Sequence, residues 1–197
     1  SLPWPKTGYK VYKLSLKHFG EPKKMSFILK FMKRYIKLID SINNNFGRIA
    51  GWITTLMVIN VFVDVLLRYG LNKVFIAMQE LEWHFFAAIF LLGAGHTLKQ
   101  NGHVRVDLLY NNFNDTQKAW VNLTGSIIFL LPFSAMVVFS SQDFVISSFQ
   151  IQETSPNPGG LPARYILKAL IPIGFTLLFL QGISEVFKNI LFLKVEK

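Results

Sequence analysis

Four stretches of the chain approach the roughly 20 apolar residues that a helix needs to cross about 30 Å of hydrocarbon. They are residues 49–67, 83–98, 120–139 and 165–186. A soluble bundle would give each helix a polar face, whereas residues 85–92 and 127–133 are apolar all round. The second stretch is short and needs Met78–Glu82 as its first turn, so the spans are expected at about 49–67, 79–98, 119–140 and 164–187. The third has room to continue towards Phe149. Pro132 and Pro172 lie inside spans three and four, where kinks are expected. The fold class is therefore an all-α integral membrane protein, with residues 48–193 as a four-helix transmembrane domain.

Charge orients the chain. Eleven of its 21 Lys and Arg precede residue 49. Lys99, Arg105, Lys118, Lys188, Lys194 and Lys197 add to the same side, and the two opposite hairpins hold only Arg68 and Lys73 before Arg164. The positive-inside bias then places both termini in the cytoplasm. The basic region abuts long apolar runs, so its polyanion is expected to be the lipid headgroup layer and not nucleic acid. With no Cys, disulfides and thiolate chemistry are excluded.

Residues 1–24 carry Pro3, Pro5, Pro22 and scattered Lys, and lack the apolar core of a cleaved signal peptide. They form a basic extension, either an added upstream segment or a natural tail. Residues 25–47 are expected to form a separate amphipathic helix. Ile28, Met32, Tyr35, Ile39, Ile42 and Phe46 make one stripe, with Lys30, Lys33, Arg34 and Lys37 opposite. That pattern suits a helix lying in the interface against anionic headgroups; packing on a protein partner through the same stripe is the alternative.

Polar residues in and beside the spans need explaining. Asp64 and Arg68 share a helix face as an i, i+4 pair near the outer end of span one. Glu80, Glu82 and His84 open span two, where acids complement the helix dipole and Glu80 can pair with His84. Gly93, Ala94 and Gly95 beside His96 would let another helix approach closely. His84 and His96 are about 18 Å apart along one helix, and spans one, three and four have no His, so no bis-His haem site forms. Beyond span two, Gly102, His103, Arg105 and Asp107 lie in an alternating segment, with a short helix expected from Asp107 to Phe113. No nucleophile accompanies that set, and Arg105 paired with Asp107 or another acid is the economical reading. No phosphate loop or metal-spacing motif appears, so no catalytic, cofactor or metal residue is assigned and the chain is not expected to be an enzyme.

Asp64-Val-Leu-Leu-Arg68-Tyr69, Asn72, Glu80-Leu81, Leu92-Gly93-Ala94 and Gly102-His103-Val-Arg105-Val-Asp107 together carry a resemblance. Leu161-Pro162 and Ile171-Pro172-Ile173-Gly174 extend it. The chain resembles the small membrane subunit of tripartite ATP-independent periplasmic (TRAP) transporters, the DctQ-like family. The H-x-R-x-D segment is the most specific part. Many relatives carry Phe where Leu71 stands, and the approach to Glu80 also departs from theirs.

The resemblance implies a place in the bacterial inner membrane, with a large membrane subunit and a periplasmic substrate-binding protein as partners. The large subunit would hold the substrate and sodium sites. This chain would brace it and help dock the binding protein during uptake of an organic acid, of the C4-dicarboxylate or sialic acid class. Asp64, Arg68, Tyr69, Asn72, Glu80, Gly93, Gly102, His103, Arg105 and Asp107 would then support folding and assembly. A self-sufficient small transporter or channel, and a cytochrome-like anchor, are the rival classes.

Overall fold

A computed structural model describes residues 27–100 and 113–195. All regular structure among these residues is helical. Helix α1 is Phe27–Gly70, α2 is Ile76–Lys99 and α3 is Asp115–Gly125. A π-helical turn, Ser126–Leu130, joins α3 to α4 (Leu131–Ser140). After a turn at Ser141 come α5 (Gln142–Gln150) and α6 (Arg164–Val195). Helix α6 is the hub: it packs on α1 and α2 on one side and on α3, the π turn, α4 and α5 on the other.

Three helical stretches among the described residues are long and apolar enough to cross a membrane: Phe27–Gly70, Asp115–Gln150 and Arg164–Lys194. Four spans were expected. Helix α2 has 24 residues, about 36 Å of helix, but Glu80, Glu82, His84 and His96 dilute its hydropathy. Large apolar side chains point outward throughout, among them Leu56 and Phe62 on α1, Phe86 and Phe90 on α2, and Phe129 and Met136 in the third stretch. Several of the most deeply buried side chains are instead polar: Asn43, Ser134, Gln181 and Ser184. That inside-out arrangement is the one lipid imposes. Trp52 and Trp120 are exposed near one end of the bundle, Tyr69 and Trp83 near the other, as in aromatic belts.

The expected separate helix at residues 25–47 is not separate. One continuous helix of 44 residues, about 66 Å long, runs from Phe27 to Gly70. Its packed face is also rotated from the predicted stripe: Met32, Ile36, Ile39, Asp40 and Asn43 are buried, whereas Ile28 is exposed. This face lies on the end of α6, where Met32, Ile36 and Leu191 form a small core flanked by Leu29, Phe187 and Ile190. Tyr35 stacks edge-on against Phe187 and donates to the Leu180 carbonyl at 3.2 Å. Tertiary contacts thus carry the helix through Asn43–Asn45, which are weak helix formers.

Pro132 accounts for the π turn, because its ring displaces the carbonyl one turn back and removes an N–H. The buried Ser134 hydroxyl donates back along its own helix to the Leu130 carbonyl at 2.6 Å, with the Leu131 carbonyl at 3.1 Å. At Pro172 the helix continues, and Thr176 donates to the Pro172 carbonyl at 2.6 Å.

Small residues set the helix crossings. Across α1 and α2, the His96 ring sits over Gly47 and the Asn43 side chain over Gly95. Of the stretch Gly93–Gly95 expected to allow close approach, Gly95 does so, whereas a Cβ at Gly93 would meet Ala50 only at 3.9 Å. Between α2 and α6 the tight point is Gly174, where a Cβ would lie 2.6 Å from the Leu91 carbonyl oxygen. Backbone cannot swing aside, so Gly174→Ala should push the two helices apart and lower stability by about 1–3 kcal/mol. Thermal unfolding of the detergent-solubilised protein measures this; an unchanged midpoint would refute the crossing geometry.

Candidate functional site

Glu80 organises one end of the bundle. It lies in the second turn of α2 and is 3% exposed. Its carboxylate accepts from the Ser155 hydroxyl, from Asn157 Nδ2 at 3.0 Å and from the Leu161 backbone N–H at 2.7 Å. All three donors belong to the connection between α5 and α6, which therefore wraps around one acid. Within that connection Ser155 N–H donates to Leu161 at 3.0 Å and Gly160 N–H to Asn157 at 3.0 Å. Gly160 is needed there: a Cβ would lie 2.8 Å from Glu80 Oε2 and 2.4 Å from Ser155 Oγ. Gln152, Gly159 and Ala163 have positive φ angles of 47°, 77° and 60°. Two of these are not glycine, and such strained residues persist where surrounding contacts over-determine the backbone.

A second acid secures the base of the connection. Glu153 accepts from Ser148 Oγ at 2.6 Å and pairs with Lys168, and its backbone carbonyl receives the Arg164 N–H at 2.9 Å. The bonds from Lys168 and then Ser148 hold the Glu153 carboxyl below the usual carboxylate range. His84 does not pair with the Glu80 carboxylate as expected. Its Nδ1 lies 2.6 Å from the Glu80 backbone carbonyl, and its ring stacks on Trp83.

Asp64 and Arg68 form the expected i, i+4 pair. Asp64 is buried at 2% exposure while Arg68 reaches the surface. Asn60, one turn earlier, donates to the Met78 carbonyl at 2.9 Å and ties α1 to the start of α2. Tyr69 is exposed, and Asn72 has φ 52°, the left-handed conformation that ends α1 as the Lys73 N–H returns to Leu67 at 3.0 Å.

A third polar cluster stands at the opposite end, where α1, α2 and α6 meet. Asp40 Oδ1 accepts from Lys188 Nζ at 2.9 Å, Gln181 Nε2 at 3.0 Å and Ser184 Oγ at 3.3 Å. Lys188 also reaches Glu185 at 2.7 Å, and Gln181 joins Asn43 Nδ2 at 2.9 Å. Lys99, the last residue of α2, donates to the Asp40 carbonyl at 3.1 Å and to Asn44 Oδ1 at 2.7 Å. None of these residues was a predicted site residue. Asp40, a lone acid in a basic segment, and Gln181 and Ser184, polar groups in an apolar run, were the available signals.

Lys30, Arg34 and Lys37 project from α1 into the surroundings, and Lys33 is partly covered. Gly102, His103, Arg105, Asp107 and nearly all of the short helix expected at 107–113 lie outside the described residues, as does the extension 1–24. Polar side chains thus tie Glu80 to the α5–α6 connection, Asn60 to the start of α2 and Asp40 to α6, while the Asp64–Arg68 pair lies within α1. Residues 57–191, more than half of the chain, match the family described as tripartite ATP-independent periplasmic transporters, DctQ component. The chain belongs to the DctQ family. A search of curated proteins and of solved structures finds no match.

Membership makes this DctQ chain a small multi-pass membrane component of a TRAP transporter, a family of transport and not of catalysis. It implies a complex with a large membrane subunit and a periplasmic binding protein. The match begins inside α1 and ends near the close of α6, so it includes the Glu80 and Asn60 ties, the Asp64–Arg68 pair and the α6 side of the Asp40 cluster.

Proposed function

We propose that this DctQ chain is a stationary brace for the large subunit and presents a docking surface to the binding protein. In this reading it has four spans, α2 being the fourth crossing helix, with both termini in the cytoplasm. The α5–α6 connection then faces outward, where the binding protein arrives. The observation that carries the reading is the use of the polar side chains: Glu80 is bonded to the α5–α6 connection, Asn60 to the start of α2 and Asp40 to α6, so they tie elements of the bundle to one another. A transport site in the membrane usually needs broken helices and convergent free polar groups. Sodium-driven uptake of an organic acid, of the C4-dicarboxylate or sialic acid class, then belongs to the large subunit. His103, Arg105 and Asp107 support assembly, and Lys30, Lys33, Arg34 and Lys37 contact anionic lipid.

Reconstitution into liposomes with a sodium gradient tests this. Uptake should require the large subunit, the binding protein and this chain together, with none from this chain alone. Arg105→Ala or Asp107→Ala should reduce co-purification with the large subunit. Uptake by this chain alone, or assembly intact with transport lost in those variants, would overturn the bracing role.

A further inference from the structure

Between α2 and the third apolar stretch an open cleft runs along α6. Its outer part, at the end that carries the α5–α6 connection, has a volume of about 470 Å³. Trp83, Phe86, Phe90 and Phe144 line it, with Ile171 on its α6 wall. Two cations, Arg164 and Lys168, stand in the same wall. Lys168 is neutralised by Glu153 and lies over the Phe144 ring at 3.9 Å. Arg164 is different. Its guanidinium rests 5.4 Å from the centre of the Trp83 ring, its Nε is buried without a hydrogen-bond partner, and it opens α6.

A cation at a helix N-terminus opposes the dipole, and a buried donor without an acceptor is unfavourable. Glu80 and Glu153 lie within electrostatic reach of Arg164, but both carboxylates already accept hydrogen bonds from other donors. Glu80 accepts from Ser155, Asn157 and the Leu161 N–H, and Glu153 from Ser148 and Lys168. The position therefore lacks one anionic acceptor, placed at the rim of an apolar, aromatic-walled groove that opens sideways. Arginine is suited to bind phosphate through paired N–H donors, and an acyl chain is the apolar species that abounds beside such a groove.

We propose that this groove is a binding site for one phospholipid, its phosphate on Arg164 and an acyl chain between Phe86, Phe90 and Phe144. The lipid belongs to the leaflet on the side of the α5–α6 connection. The site depends on insertion in a membrane and not on the bracing role.

Trp83 reports on the groove directly. The complex of this chain with its large subunit is reconstituted in phosphatidylcholine vesicles with increasing phosphatidylglycerol brominated at mid-chain. Quenching assigned to Trp83 is the difference between the wild type and Trp83→Phe. Half-maximal quenching should need a roughly tenfold lower mole fraction of brominated lipid in the wild type than in Arg164→Gln, as expected for one charge-assisted contact. Ala87→Phe, which fills the groove and leaves both cations, should lose the same preference. Equal quenching curves in the wild type and both variants would reduce the site to ordinary lipid contact and overturn the proposal. Absence of Trp83 quenching in the complex would show a helix of the large subunit in the groove instead. Relief of quenching by excess inorganic phosphate would make it a soluble-anion site, which also overturns it.

Discussion

Glu80→Ala should release the α5–α6 connection while leaving the helices formed. The substitution removes, in one step, the acceptor for the Ser155 hydroxyl, the Asn157 amide and the Leu161 N–H. These donors lie 75 to 81 residues from Glu80 in the chain, so no local turn can replace the lost partner. Donors without an acceptor seek water, and a connection with positive φ at Gln152 and Ala163 has strain to shed once its anchor goes. Protease cleavage within residues 151–163 should become about tenfold faster or more, because local opening sets the rate. Glu80→Gln should be intermediate: its carbonyl still accepts, but the charge and one acceptor oxygen are lost. If the connection also receives the binding protein, transport should fall in the same order. Unchanged cleavage in Glu80→Ala would show that the connection is held by its own backbone bonds and not by the acid.

The contrast between Glu80 and Asp40 shows what a sequence of this kind reveals. An acid at the start of an apolar helix is conspicuous, and Glu80 was singled out for that reason. The expected pairing with His84 does not form, because the carboxylate's partners come from a distant connection rich in Pro and Gly. The Asp64 and Arg68 pair was legible because it is local, four residues within one helix. Asp40 was not legible. Its partners Gln181, Ser184 and Lys188 are 141 to 148 residues away, and residues 25–47 were expected as a helix separate from span one. The two are continuous, and at their junction Asn43 is bonded to Gln181 and Gly47 receives the His96 ring. The expected stripe shares Met32 and Ile39 with the face that packs but omits Ile36, Asp40 and Asn43, the last two being polar yet buried on that face.

The Asp40 cluster gives the other large effect. Lys188 Nζ is the one cation that touches the carboxylates of both Asp40 and Glu185 among the described residues. Lys188→Met keeps most of the side-chain volume but leaves those two acids converging on Gln181 Nε2, at 3.0 Å each. Breaking a buried ion pair from one side costs about 3–5 kcal/mol, mostly through the uncompensated charge. The first consequence should be local: residues 27–43 of α1 detach from the end of α6, because the remaining core there is only Met32, Ile36, Leu191 and their neighbours. Hydrogen exchange should accelerate in this half of α1 and stay slow in residues 49–67. The double variant Asp40→Asn/Lys188→Met removes one of the two stranded charges and keeps a hydrogen-bonding group for Gln181 and Ser184. It should be more stable than Lys188→Met alone, a coupling that a double-mutant cycle reads directly. Additive effects in that cycle would mean that Lys188 and Asp40 do not act on each other. The long first helix would then be held to α6 by apolar contact and by the Asn43–Gln181 bond.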